Sequence, residues 1–190
     1  RRVLNQIADP AALRRLDKRY ELDITGAFYP TGGHGSAFRY ASPAAQLPVT
    51  LDESHSGHGP ILHIEIFDDL EGASAEGSLS TCVLALRLDN LTPNDEIEVR
   101  LNRETLPWDS AKVSFEGWSR VQLEPRFWMK FPSEPVEATK PGVSVEFDVG
   151  CPPLRRGRNE LEVRLVAASS ERTSRVVLKG VEAAINYAHS

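Results

Sequence analysis

The chain has 190 residues, 41% of them hydrophobic and 26% charged, and a formal net charge of -5 at pH 7. That balance belongs to a globular domain with a real core; it excludes a disordered chain and removes any need for a metal or disulfide staple. A mildly acidic surface gains nothing from a nucleic acid or an anionic membrane, and no apolar run approaches the roughly 20 residues of a spanning helix, so neither is an expected partner.

The chain starts Arg1-Arg2-Val3-Leu4-Asn5, with neither an initiating Met nor a signal-peptide apolar region. Either a leader was removed or this is a fragment of a larger polypeptide, and a fragment is the favoured reading; the expected setting is cytoplasmic. A helix is expected next. Asp9 can cap it, Pro10 suits its first position, and Ala11 to Arg19 are good helix formers. Leu13, Leu16 and Tyr20 form one apolar stripe, which leaves Arg14, Arg15, Lys18 and Arg19 for solvent. Thr25 to Gln46 is dense in Gly, Pro and Ser around His34, and reads as a long connecting loop. The expected division is therefore 1–46 for the helix and loop, and 47–190 for the main domain.

After Leu47 the period changes to two. Leu62, Ile64 and Ile66 alternate with His63 and Glu65. Ile97, Val99 and Leu101 alternate with Glu96, Glu98 and Arg100, and Glu160 to Leu165 repeats that pattern. Val143, Val145, Phe147 and Val149 alternate with Ser144, Glu146 and Asp148. Such alternation means strands with one face in the core. Leu79 to Leu88 is more apolar, as a central strand would be, and Ser174 to Tyr187 supplies one or two closing strands, with Gly180 the place where an interruption would fall. Turn-rich segments at Asn90–Asp95, Lys140–Gly142 and Arg155–Asn159 separate the runs. The expected fold is all-β: an antiparallel two-sheet sandwich of jelly-roll or galactose-binding-like type, eight to ten strands, with a short N-terminal helix.

Chemistry-bearing residues are few. Asp68-Asp69 is the most conspicuous carboxylate pair, but neighbours on a strand face opposite ways, so turn and cap chemistry fits them better than catalysis. His55, His58 and His63 lie close in sequence without a matching ligand set, and read as solvated. Cys82 and Cys151 read as two buried thiols or as a disulfide joining two strands; two thiols alone do not make a metal site. No nucleophile elbow, phosphate loop or dinucleotide fingerprint is present, so no catalytic residue, metal or cofactor is expected. Trp108, Trp118 and Trp128 fall close together. Trp128 reads as core, whereas Trp108 and Trp118 sit beside turn residues, where an indole can stack on a sugar ring. Those two are the candidate carbohydrate-binding residues.

Three stretches carry a resemblance. They are Leu86 to Asp95 running into Glu96–Asn102, then Pro152 to Val163, and Leu178 to Ile185. Together they resemble the C-terminal β-sandwich domains that follow the barrel in glycoside-hydrolase-like bacterial proteins, and Leu16-Asp17-Lys18-Arg19-Tyr20 looks like the tail leading out of such a barrel. The likeness runs from Ala12 onward and rests on scaffold motifs. One departure is Arg103 after Asn102, where a turn glycine is usual. The resemblance implies a non-catalytic accessory domain that packs on a catalytic domain of the same or a partner chain. Its catalytic residues would lie in the barrel, so none is carried over. The alternatives are a carbohydrate-binding module and a small subunit of a carbohydrate-active complex.

Overall fold

The computed structural model describes residues 17–23, 37–41, 46–53, 57–114, 142–170 and 174–188, with the backbone alone described for 23 and 37–41. The strands are β1 (Asp17–Asp23), β2 (Ala37–Ala41), β3 (Val49–Leu51), β4 (Ile61–Ile66), β5 (Leu79–Asp89) and β6 (Glu96–Leu101). They continue as β7 (Glu104–Leu106), β8 (Lys112–Ser114), β9 (Val143–Val149), β10 (Gly157–Ala167) and β11 (Val176–Tyr187). One short helix, α1 (Leu70–Ala75), and a 3-10 turn at Trp108–Ser110 complete the described elements.

The strands form a two-sheet β-sandwich. A seven-stranded sheet has the order β2-β1-β11-β5-β9-β8, with β3 also paired to β11, and a four-stranded sheet has the order β4-β10-β6-β7. Pairing between these strands is antiparallel except between β1 and β2, which run parallel, and an isolated parallel bridge joins Glu53 to Leu165. From β4 to β11 the chain crosses repeatedly between the sheets, as jelly rolls do.

The alternating segments face as their period requires. Ile97, Val99, Leu101, Leu161, Val163 and Leu165 are all buried, and so are Leu62, Ile64, Ile66, Val145 and Phe147. Cross-strand register aligns them: Val163 lies opposite Val99 and Leu161 opposite both Leu101 and Leu62. β5 is the central strand of its sheet, with Cys82, Leu84, Leu86 and Leu88 buried on the inner face. Val83, Ala85 and Arg87 on its outer face are half-buried. β11 is one continuous strand whose register shifts between Leu178 and Gly180, so the interruption at Gly180 is a bulge, not a break.

The N-terminal region departs from the expectation. Asp17 to Tyr20, the end of the expected helix, lie in β1; the segment from Ala11 to Leu16 lies outside the described residues. Asp-Lys-Arg-Tyr-Glu-Leu-Asp satisfies a period of two as well as one of 3.6, and sheet pairing on both sides decides in favour of the strand. Lys18, Tyr20 and Leu22 point into the core, so Lys18 is not on a solvated face. Part of the expected loop is likewise strand β2, and the larger sheet therefore draws on residues ahead of Leu47.

Buried polar side chains fix the turns. Asn159 is fully buried; its amide donates to the carbonyls of Arg155 (2.8 Å) and Gly157 (2.9 Å). Its Oδ1 accepts from the Arg155 N–H (3.0 Å) and from Asn102 Nδ2 (2.8 Å). Asn102 also donates to the Pro153 carbonyl at 2.8 Å, tying the β6–β7 hairpin to the turn before β10. Asp95 accepts from Thr92 N–H and Oγ1 at 2.7 and 2.9 Å and from the Ser169 N–H at 2.7 Å, holding two loops at one end of the sandwich. Among the described residues no helix is long and apolar enough to cross a membrane.

Candidate functional site

The densest group of chemically capable side chains gathers where β1, β11 and the β4–α1 turn meet. β4 ends at Ile66, and the chain turns through Phe67-Asp68-Asp69 into α1. Asp69 caps that helix, its Oδ1 accepting the Gly72 N–H at 3.2 Å. Asp68 points inward instead. The two carboxylates do unrelated jobs, as the opposite orientation of neighbouring residues requires.

Asp68 is 8% exposed and lies 2.6 Å from the ammonium of Lys18, itself 7% exposed. The contact is ionic rather than a well-aligned hydrogen bond. Tyr20 donates a short hydrogen bond to Asp68 Oδ2, and Tyr187 donates to Oδ1 at 3.0 Å. Lys18 Nζ also lies 4.6 Å from the centre of the Tyr187 ring, within cation–π range. The Tyr20 hydroxyl accepts the Phe67 N–H at 3.2 Å, and the Tyr187 N–H donates to Asp17 Oδ1 at 2.9 Å. One carboxylate therefore gathers a cation and two phenols from both ends of the described chain.

Burial pushes the Tyr187 phenol well above its ordinary value, and the Asp68 charge and hydrogen bond push it further. Tyr187 is thus a fixed donor at neutral pH, not a proton shuttle. Both oxygens of Asp68 are engaged by protein groups. The arrangement binds one strand, one turn and another strand together, and its chemistry is that of a buried clip.

Cys82 on β5 and Cys151 just past β9 come together beside this cluster, with the sulfurs 3.7 Å apart and both thiols free. Cys82 is pushed up by its hydrogen bond to Cys151, then by burial, then by the Cys151 and Asp68 charges. Cys151 is lowered by the same hydrogen bond, against burial and the charge of Glu71.

The other candidates are scattered. Trp108 sits on the 3-10 turn after β7, 38% exposed, its ring centre 6.3 Å from that of the buried Phe147 at a 59° tilt. Trp118 and Trp128 lie outside the described residues, as do His34 and His55. His58 is exposed, with Nδ1 3.5 Å from Glu162. His63 is held through its backbone, which exchanges hydrogen bonds with the Gln46 side chain. Among the described residues no three His, Cys, Asp or Glu side chains gather as metal ligands. Sequence reasoning singled out Asp68 but missed Lys18, Tyr20 and Tyr187; the available signal was Lys18-x-Tyr20-x-Leu22 read at period two. Compared with protein-family models and with curated protein sequences, the chain matches none.

Proposed function

We propose that this sandwich is a non-catalytic accessory domain of a glycoside-hydrolase-like protein, where it packs on a barrel-type catalytic domain and stabilises it. The observation that carries the reading is the anchoring of β1. This strand is paired on both sides, to β11 and to β2, and is pinned from below by Asp68 through Lys18 and Tyr20. A strand held in the sheet on both sides gives a neighbouring domain a fixed surface to pack against, whatever the length of the link between them. Here β1, the first described element, is part of the sheet.

The test is to express the barrel-type domain of the parent polypeptide with and without this module. Removal is expected to lower the melting temperature and soluble yield of the barrel while leaving turnover per folded molecule unchanged. An equally stable barrel alone, or a parent polypeptide without one, overturns the reading.

A second reading, a carbohydrate-binding module, is supported by the exposed face of Trp108. Retardation of the chain in gels containing soluble polysaccharide, abolished by Trp108→Ala, would favour it over the first.

A further inference from the structure

We propose that Cys82 and Cys151 are a redox-active pair that closes to a reversible intramolecular disulfide when the protein meets a hydroperoxide, latching β5 to the turn behind β9. The two sulfurs already lie 3.7 Å apart and share a hydrogen bond, so closure to the roughly 2 Å of a disulfide has little distance to cover. The two thiols differ in access. Cys82 is 4% exposed on the inner face of the central strand, whereas Cys151, in the turn after β9, is only half-buried. An oxidant therefore reaches Cys151 first, with Cys82 in place behind it.

The electrostatics point the same way. The hydrogen bond between them favours the thiolate on Cys151 and the proton on Cys82, where burial and the Cys151 and Asp68 charges act in the same direction. Glu71 opposes the thiolate, and Tyr187, itself hydrogen-bonded to Asp68, stays neutral. In the first step the Cys151 sulfur attacks a peroxide oxygen. An S–O bond forms, the O–O bond breaks, and the departing oxygen leaves as water or an alcohol after taking up a proton. In the second step the Cys82 sulfur attacks the Cys151 sulfur. The S–S bond forms, the S–O bond breaks, and the leaving hydroxide takes the Cys82 proton away as water. Two thiols are oxidised by two electrons and one hydroperoxide is reduced. A dithiol reductant reverses the process.

The closed loop spans a sequence separation of 69 residues, which removes chain entropy from the unfolded state. The bond would also brace the floor beneath Lys18 and Asp68, through the β5 strand that pairs with β11.

The experiment treats the reduced full chain with hydrogen peroxide and reads intact mass, peptide map and melting temperature. The expected product is a monomer lighter by two hydrogens, with Cys82 linked to Cys151, restored by dithiothreitol and melting higher by roughly several degrees. Cys82→Ser is expected to trap a sulfenic acid on Cys151 that a cyclic 1,3-dione labels; Cys151→Ser should leave Cys82 unlabelled. Added oxygen without loss of two hydrogens, a disulfide-linked dimer, or thiols unreacted under conditions that oxidise glutathione overturns the proposal. An unchanged melting temperature after closure overturns its role as a latch. Should either variant fail to fold, the peptide map of the unmodified sequence decides alone.

Discussion

Lys18 occupies a core position in an alternating strand, where an apolar side chain would be the default, and only its partners make that tolerable. Asp68 supplies the opposite charge, and Tyr20 and Tyr187 each donate a hydrogen bond to one of its oxygens. Taking away one charge strands the other, so Asp68→Asn and Lys18→Met should each cost about 3–5 kcal/mol, as broken buried pairs do. The double variant should lose less than the sum of the two, by about 0.5–3 kcal/mol of coupling, measured by denaturant melting. Strict additivity would mean that the two charges do not depend on each other. Tyr187 gives a separate pH signature. Its folded phenol keeps its proton where the unfolded one, with an ordinary value near 10, loses it. The folded state then binds more protons, so stability falls as pH rises beyond that value. Tyr187→Phe should flatten this decline above about pH 10 and leave the neutral range unchanged, and an unaltered slope would count against the assignment. None of these pairings was legible from the sequence. Asp68 stood out as an acidic residue, but its partners come from strands far away in the chain.

At the scale of elements, period two was a sufficient guide wherever one face was core and the other polar, as in β4, β6, β9 and β10. It failed for β1, because its core-facing row begins with a lysine and its Asp17-Lys18-Arg19 start mimics a helical solvent face. The turn between β6 and β7 shows how local chemistry and fold can disagree. Leu101 pairs directly with Glu104, leaving a two-residue hairpin of Asn102 and Arg103 at φ of 51° and 72°. Both positions must be left-handed in such a turn, and Asn-Gly is the usual solution. Asn102 is retained for its hydrogen bonds to Pro153 and Asn159, whereas exposed Arg103 carries the backbone strain. Arg103→Gly should therefore stabilise the protein by about 1 kcal/mol, the cost of a left-handed side chain less the entropy of glycine. A lower melting temperature for this variant would mean that the arginine makes a compensating contact.

For the whole molecule, the decisive feature is that the beginning and end of the described chain meet in one sheet. β1 covers the edge of β11 from Ile185 to Gly180, and β3 covers it from Val176 to Leu178. Tyr20 and Leu22 add to the same core as Ile185 and Tyr187. A chain cut to start at Leu47, the boundary expected from sequence, would keep β3 but lose β1 and β2. The inner half of β11 would then present unpaired N–H and C=O groups beside an opened core, an invitation to pair with another copy. Asp68 and Tyr187 would at the same time lose Lys18 and Tyr20. The shortened chain is expected to be insoluble or to melt far below the full chain, and amides along Lys18–Asp23 in the full chain should exchange as slowly as those of β11. A shortened chain that stays monomeric and melts within a few degrees of the full one would show β1 to be an appendage, and would remove the anchored strand on which the accessory-domain reading rests.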